Sequence, residues 1–163
     1  MKIILMFFFS LYGSYSHAVE TLCERNEQVI LSCSIANSSR VLSICSSKVL
    51  TATEGYLQYR FGRIGAIEMT YPATKVETQE KFRWTTNYHA DVIDSWLTFK
   101  SGAYVYSVFG IEERRANDKN GGRRYGVITT NNNDQEHSLR CKRPIIDFFS
   151  TLDNVVPEGD MAN

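Results

Sequence analysis

The sequence has no excess of charge of either sign, because 18 lysine and arginine residues balance 18 aspartate and glutamate residues. A protein that binds nucleic acid through phosphates needs a concentrated basic surface. The basic pairs Arg114-Arg115 and Arg123-Arg124 are the clusters to consider, and Glu112-Glu113 precede the first of them. We interpret residues 111–124 as the solvated end of a charged hairpin, and we predict no nucleic-acid partner.

The sequence also lacks the patterns of common catalytic and metal sites. It contains no nucleophile elbow around a serine, no glycine-rich phosphate loop and no Cys-x-x-Cys pair of the kind that binds zinc. His89 and Asp91 lie two residues apart and would share one face of a strand, but solvated polar groups at a strand end are the simpler interpretation. We predict that the protein is not an enzyme and has neither a metal site nor a cofactor.

The apolar run over residues 3–12 is too short to span a bilayer, which takes about 20 residues. It follows one positive charge, at Lys2, and precedes small residues that end at Ala18. This order is typical of a secretory signal peptide, with a retained membrane anchor as the alternative. We predict a signal peptide over residues 1–18 and a mature single domain over residues 19–163, without a membrane span.

Cysteine is scarce, and all four residues lie in the predicted mature chain: Cys23, Cys33, Cys45 and Cys141. An even number of cysteines in an exported protein predicts two disulfides. Their spacing leaves all three pairings open. A bridge to Cys141 would tie the first strands to the end of the domain and close a long loop.

The mature sequence does contain a succession of short segments with strand-like patterns, separated by turn residues. In residues 55–62, side chains for the two faces of a strand alternate with period two, as in a half-buried strand. A separate segment, residues 66–71, would end at Pro72, because proline cannot donate to a ladder. The predicted strands are residues 28–34, 40–45, 55–62, 66–71, 81–88, a stretch around 93–99, 103–109, 125–130 and 136–141. Strands at this spacing favour an antiparallel sandwich or barrel.

Only in the C-terminal part does the spacing of apolar residues change from that of a strand to that of a helix. Pro144 suits the first position of a helix, and the apolar residues Ile145, Phe148, Phe149 and Leu152 recur at helical spacing. The pattern predicts a short amphipathic helix over residues 144–153 that caps the strands.

A small polar turn, Ser101-Gly102-Ala103-Tyr104, separates two of the predicted strands. Gly102 allows the backbone to turn sharply, while the Ser101 hydroxyl and the Tyr104 phenol can each donate and accept hydrogen bonds. Flanking strands would hold the turn rigid, so little entropy would be lost on docking. The turn is either an ordinary hairpin connection with Tyr104 packed on the sheet, or a binding tip.

These four residues match the Ser-Gly-x-Tyr motif of bacterial periplasmic lysozyme inhibitors. The chain most resembles the inhibitors of invertebrate-type (i-type) lysozyme, because the motif accompanies a predicted signal peptide, a cysteine-containing hairpin at residues 29–45 and Leu-Gln-Tyr-Arg-Phe-Gly at residues 57–62. The resemblance covers most of the mature chain. Inhibitors of goose-type and chicken-type lysozymes carry similar signatures, so these targets also stay open.

The resemblance implies an antiparallel β-sandwich, a periplasmic location and lysozyme as the partner. Ser101, Gly102, Ala103 and Tyr104 would be the lysozyme-binding residues, with Ser101 and Tyr104 hydrogen-bonding the catalytic carboxyls. We therefore predict an all-β, antiparallel β-sandwich of about eight strands with a short C-terminal helix. Whether the protein forms a homodimer stays open.

A second hypothesis for the function does not involve lysozyme. The chain would then be an exported carbohydrate- or envelope-binding β-sandwich module without inhibitory activity. Trp84, Tyr88 and Trp96 would be exposed and would serve as stacking platforms for sugars.

Overall fold

The computed structural model describes residues 19–76, 78–114 and 122–161. The predicted signal peptide, residues 1–18, lies outside the described residues, as do residues 115–121 of the predicted charged hairpin. The described residues form nine β-strands. The strands are β1 (Gln28–Ile35), β2 (Val41–Ser46), β3 (Leu57–Arg63), β4 (Ala66–Tyr71), β5 (Arg83–Tyr88), β6 (Val92–Ser101), β7 (Tyr104–Glu113), β8 (Gly122–Asn131) and β9 (Glu136–Asp147).

The nine strands make one antiparallel sheet in the order β4-β3-β2-β1-β9-β8-β7-β6-β5. The all-β antiparallel prediction is therefore confirmed, but the sandwich of about eight strands is wrong. The reason is β9, whose 12 residues pair first with β8, at Glu136 to Arg140, and then with β1, at Cys141 to Asp147. One long strand thus joins the two halves of the sheet.

The sheet curls into a half-barrel, and its concave face holds the core. Tyr59 of β3 lies with its ring centroid 5.0 Å from that of Phe99 of β6, and Tyr71 of β4 stacks on the same ring at 4.4 Å. Contacts between strands at distant places in the sheet are possible only because the sheet folds over on itself. The sheet's two halves therefore share one apolar core, which includes the fully buried Leu31 and Leu97.

The predicted C-terminal helix is also wrong. Residues 144–147 continue β9, and a 3₁₀ turn follows at Phe149–Leu152. Phe149 and Leu152 are buried, whereas Phe148 is 60% exposed. Apolar residues at helical spacing therefore belong to two short elements in succession, a strand end that pairs with β1 and a 3₁₀ turn that covers the core.

The four cysteines form two disulfides. Cys23 pairs with Cys45 on β2, and Cys33 on β1 pairs with Cys141 on β9, with Cα separations of 5.4 and 5.6 Å. The second bridge links positions 108 residues apart, so it joins the first strand of the chain to the last, and these two strands are neighbours in the sheet. Two disulfides indicate an oxidising, extracytoplasmic environment.

Among the described residues, no helix has the length and apolar character needed to cross a bilayer.

Four hairpin turns lie at one end of the sheet, which we call the tip end. The antiparallel register places there the turns between β1 and β2, between β3 and β4, between β6 and β7, and between β8 and β9. The β5–β6 turn lies at the opposite end. The predicted binding residues belong to the tip end.

Candidate functional site

The turn Ser101-Gly102-Ala103-Tyr104 is a tight two-residue hairpin. Ser101, the last residue of β6, pairs directly with Tyr104, the first residue of β7. Gly102 has a φ of +60° and Ala103 has a negative φ, the pattern of a type II′ turn with glycine at its first central position. The backbone twist of such a turn matches that of the flanking strands. The two strands therefore hold all four predicted residues together at one point.

The four residues are accessible at the tip end. Gly102 and Ala103 are exposed, Ser101 is half-buried and Tyr104 is 47% exposed. The Tyr104 ring is therefore not sealed beneath the sheet, and a partner could reach its phenol. Of the two interpretations of this turn, the exposed side chains favour a binding tip.

A row of aromatic rings supports Tyr104 from below. Its ring centroid lies 6.4 Å from that of Tyr106, which in turn stacks on Phe99 at 4.9 Å with an interplanar angle of 2°. Phe99 is fully buried in the core. These contacts connect the exposed ring to the rigid centre of the sheet, so Tyr104 has little freedom left to lose on binding.

The tip is uncharged. None of its four residues is acidic or basic, and Lys100 points to the other face of β6 because successive side chains of a strand alternate. Burial raises the pKa of the Tyr106 phenol, and the neighbouring Tyr104 adds to that rise. Tyr106 thus supports the tip from the concave face as a neutral ring.

His89 does not pair with Asp91, the pairing considered from the sequence and ranked below solvated polar groups at a strand end. His89 is exposed, and its Nε2 lies 3.3 Å from Oδ1 of Asp94, across the β5–β6 turn, rather than beside Asp91. The same Asp94 also accepts hydrogen bonds from the side chains of Asn87 and Trp96. This cluster is a surface network around one carboxylate.

Two of the three expected aromatic platforms are not exposed. Trp84 is only 4% exposed; its indole N–H donates to Asp153 at 2.6 Å and its ring packs edge-on against Phe149. Trp96 is half-buried, with its indole N–H bonded to Asp94 at 2.6 Å. Tyr88, at 74% exposure, is the platform that the structure leaves accessible.

Two basic residues at the end of the charged hairpin, Arg123 and Arg124, are paired with acids. Arg123 lies 3.1 Å from Glu112, its partner across β7 and β8, and Arg124 makes an ion pair with Glu113. Both pairs are partly exposed, so each contributes little to stability. The charges of these two pairs largely cancel.

A cavity of about 350 Å³ lies at the opposite end of the sheet from the tip. Its polar lining is paired internally, since the Tyr125 hydroxyl donates to Asp147 and Arg123 pairs with Glu112. Burial raises the pKa of the Tyr125 phenol, and the hydrogen bond to Asp147 adds to the rise. This arrangement stabilises the wall of the cavity.

Sequence reasoning missed a buried charge cluster around Glu27 and Arg60. The fully buried Glu27 carboxylate lies 2.6 Å from Nη1 of Arg60, accepts a hydrogen bond from the Tyr56 hydroxyl and lies 3.1 Å from Lys75 Nζ. The usable signal was Arg60, a charged residue placed in the middle of a strand rich in Leu, Tyr and Phe. The cluster fastens the segment before β1 to β3.

No protein-family model, curated protein or solved structure matches this chain. The family assignment therefore stays a prediction, drawn from Ser101–Tyr104 and the sequence around it.

Proposed function

We propose that the protein is a periplasmic proteinaceous inhibitor of lysozyme, most closely resembling the inhibitors of i-type lysozyme. It acts by inserting the Ser101–Tyr104 turn into the active-site cleft and blocking hydrolysis of peptidoglycan. The observation that carries the proposal is the exposed, uncharged tip whose Tyr104 ring rests on the aromatic core.

The chemistry of the tip fits a lysozyme cleft. Lysozymes work with a carboxylic acid whose pKa is raised and with a second, ionised carboxylate. A hydroxyl and a phenol can donate to the carboxylate and accept from the protonated acid. Because neither group is charged, the tip enters the cleft without the desolvation penalty of an ion.

The shape of the tip favours insertion. Gly102 and Ala103 carry at most a methyl group, and both are exposed at the end of a two-residue turn. Two paired strands fix the turn, so binding orders few additional groups. A narrow, stiff projection suits a cleft better than it suits a flat partner.

Export agrees with this function. The predicted signal peptide over residues 1–18 and the two disulfides suit the periplasm, where an inhibitor would meet lysozyme secreted by a host. The i-type enzymes are the first expected target, and goose-type and chicken-type enzymes are the next.

Titration of the mature protein against i-type, goose-type and chicken-type lysozymes tests this function, with lysis of cell walls as the readout. We expect lysis to fall with added protein for at least one enzyme, with an increased apparent KM and an unchanged kcat because the tip competes with substrate. Flat curves for all three enzymes would contradict the proposal.

The envelope-binding module is the second candidate, and exposed Tyr88 is the observation that favours it. The burial of Trp84 and the half-burial of Trp96 remove most of the stacking surface that it needs. Pull-down with peptidoglycan fragments in the absence of lysozyme distinguishes the two. Retention that is lost in Tyr88→Ala would favour the module, and no retention would favour the inhibitor.

A further inference from the structure

A second turn lies directly beside the tip. Residues 132–135 connect β8 to β9, and Asn131, the last residue of β8, pairs with Tyr104 in the register of β7 and β8. Neighbouring strands are about 4.8 Å apart, so the centres of two adjacent hairpins are separated by roughly 10 Å. A protein that receives the tip in a long cleft therefore also meets this second turn.

The second turn is rigid because the Asn131 side chain organises it. Its Oδ1 accepts hydrogen bonds from the backbone N–H groups of Asn133 and Gln135 at 2.9 and 3.0 Å, and its Nδ2 donates to the Gln135 side chain at 2.9 Å. Asp134 adopts a φ of +57° and donates its backbone N–H to the Asn131 carbonyl. An asparagine turn bonded in this way loses little entropy when a partner binds it.

The outermost side chains of this turn are free to bind. Asn132 and Asn133 are exposed, and within the described residues neither carboxamide has a hydrogen-bond partner. Each carboxamide offers two donors and an acceptor without any charge. Asp134 is the acidic residue of the turn.

A carboxamide resembles the acetamido group of the sugars in peptidoglycan, since both place an amide carbonyl and an amide N–H side by side. The glycan that a lysozyme binds carries such acetamido substituents, and groups of the cleft that hydrogen-bond to them can hydrogen-bond to a carboxamide in the same way. Asn132 and Asn133 present two exposed carboxamides on the hairpin next to the tip, whose centre lies roughly 10 Å away. They are therefore placed to make such hydrogen bonds when the tip occupies the cleft.

We propose that Asn132 and Asn133 form a second contact with the lysozyme, in the sugar-binding part of the cleft next to the catalytic carboxyls. Their carboxamides take hydrogen bonds that acetamido groups of the glycan make in the substrate complex. This inference rests on the proposed inhibition, and it assigns the β8–β9 turn a role in affinity that the Ser101–Tyr104 motif does not include.

The test is the double variant Asn132→Ala and Asn133→Ala, titrated against whichever lysozyme the unaltered protein inhibits. The loss of two hydrogen bonds predicts an inhibition constant about tenfold higher. Asn131 is left intact because it holds the turn. Asn26→Ala is the matched control, since Asn26 is an exposed turn asparagine that precedes β1, away from the tip end, and it should inhibit normally.

Thermal unfolding of each variant separates binding from folding, and we expect unchanged midpoints. Should the double variant be less stable, Asn132→Ala alone carries the test and should still weaken inhibition. Normal inhibition by these variants, together with a loss of inhibition in Ser101→Ala, would refute the second contact and leave the proposed function standing. Absence of inhibition by the unaltered protein would overturn both.

Discussion

At the scale of the residue, position 102 favours glycine because of its backbone conformation and not because a side chain would lack room there. Its φ is +60°, and a Cβ added there would meet no described atom within 4 Å. Gly65, in the β3–β4 turn at the same end of the sheet, has a φ of +77° and equally open surroundings. The two glycines thus share the same physical constraint, but only Gly102 belongs to the proposed binding tip.

Gly102→Ala and Gly65→Ala should therefore lower the free energy of unfolding by similar amounts, about 1 kcal/mol each, because an L-residue is strained at positive φ. Only Gly102→Ala should also weaken inhibition, since the strained turn misplaces Ser101 and Tyr104. Urea unfolding and lysozyme titration measure the two effects. Equal inhibition by both variants would show that the geometry of the tip does not matter.

At the scale of the element, the buried ion pair explains how the segment before β1 is held on β3. Arg60 is only 3% exposed, and the Glu27 side chain is fully buried. Burial by itself would raise the pKa of Glu27, but hydrogen bonds from Arg60, from the backbone of Glu24, from Tyr56 and from Lys75 together lower it to about 2. The ionised form is therefore strongly preferred in the folded protein.

This pKa predicts how stability depends on pH. Folding lowers the pKa of Glu27 from its ordinary 4.5 to about 2, so its contribution is complete above pH 4.5 and is lost as the pH falls towards 2. We expect Glu27→Gln to be less stable than the unaltered protein by about 3 kcal/mol at pH 7, with a gap that narrows between pH 4.5 and 2. Urea unfolding across this range provides the measurement.

Glu54→Gln serves as the control, because Glu54 is an exposed glutamate outside the cluster, and at pH 7 it should be as stable as the unaltered protein. A gap for Glu27→Gln that stays constant down to pH 2 would contradict the assigned pKa.

Several elements could be predicted because their signals are local. The strand predicted at residues 66–71, ended by Pro72, has the observed bounds of β4, and the turn residues after β1 marked the first hairpin. The end of β9 could not be predicted, since Ile145 and its neighbours join a strand only because β1 offers them a partner far away in the sequence. The helical spacing of residues 145–152 was a local signal that this long-range pairing overrides.

At the scale of the whole molecule, the curl of the sheet decides which side chains are available. The tip residues could be predicted as a turn from Ser101 and Gly102, but the exposure of Tyr104 depends on where the sheet ends. Trp84 shows the converse, because the C-terminal segment and Phe149 cover a ring that sequence alone marks as a platform. The Asn132-Asn133 turn becomes part of the site only through the register that sets it beside Tyr104.

The central claim, that the tip enters a lysozyme cleft, is tested most directly by the inhibition constants of Ser101→Ala and Tyr104→Ala. Their matched controls are Ser138→Ala, an exposed serine of β9, and Tyr88→Ala, an exposed tyrosine at the opposite end of the sheet. Loss of an interface anchor costs about 2 kcal/mol of binding, so we expect inhibition constants about thirtyfold higher for the two tip variants. The controls should inhibit normally, and all four variants should keep their unfolding midpoints. Tip variants that inhibit as well as the controls would contradict the claim.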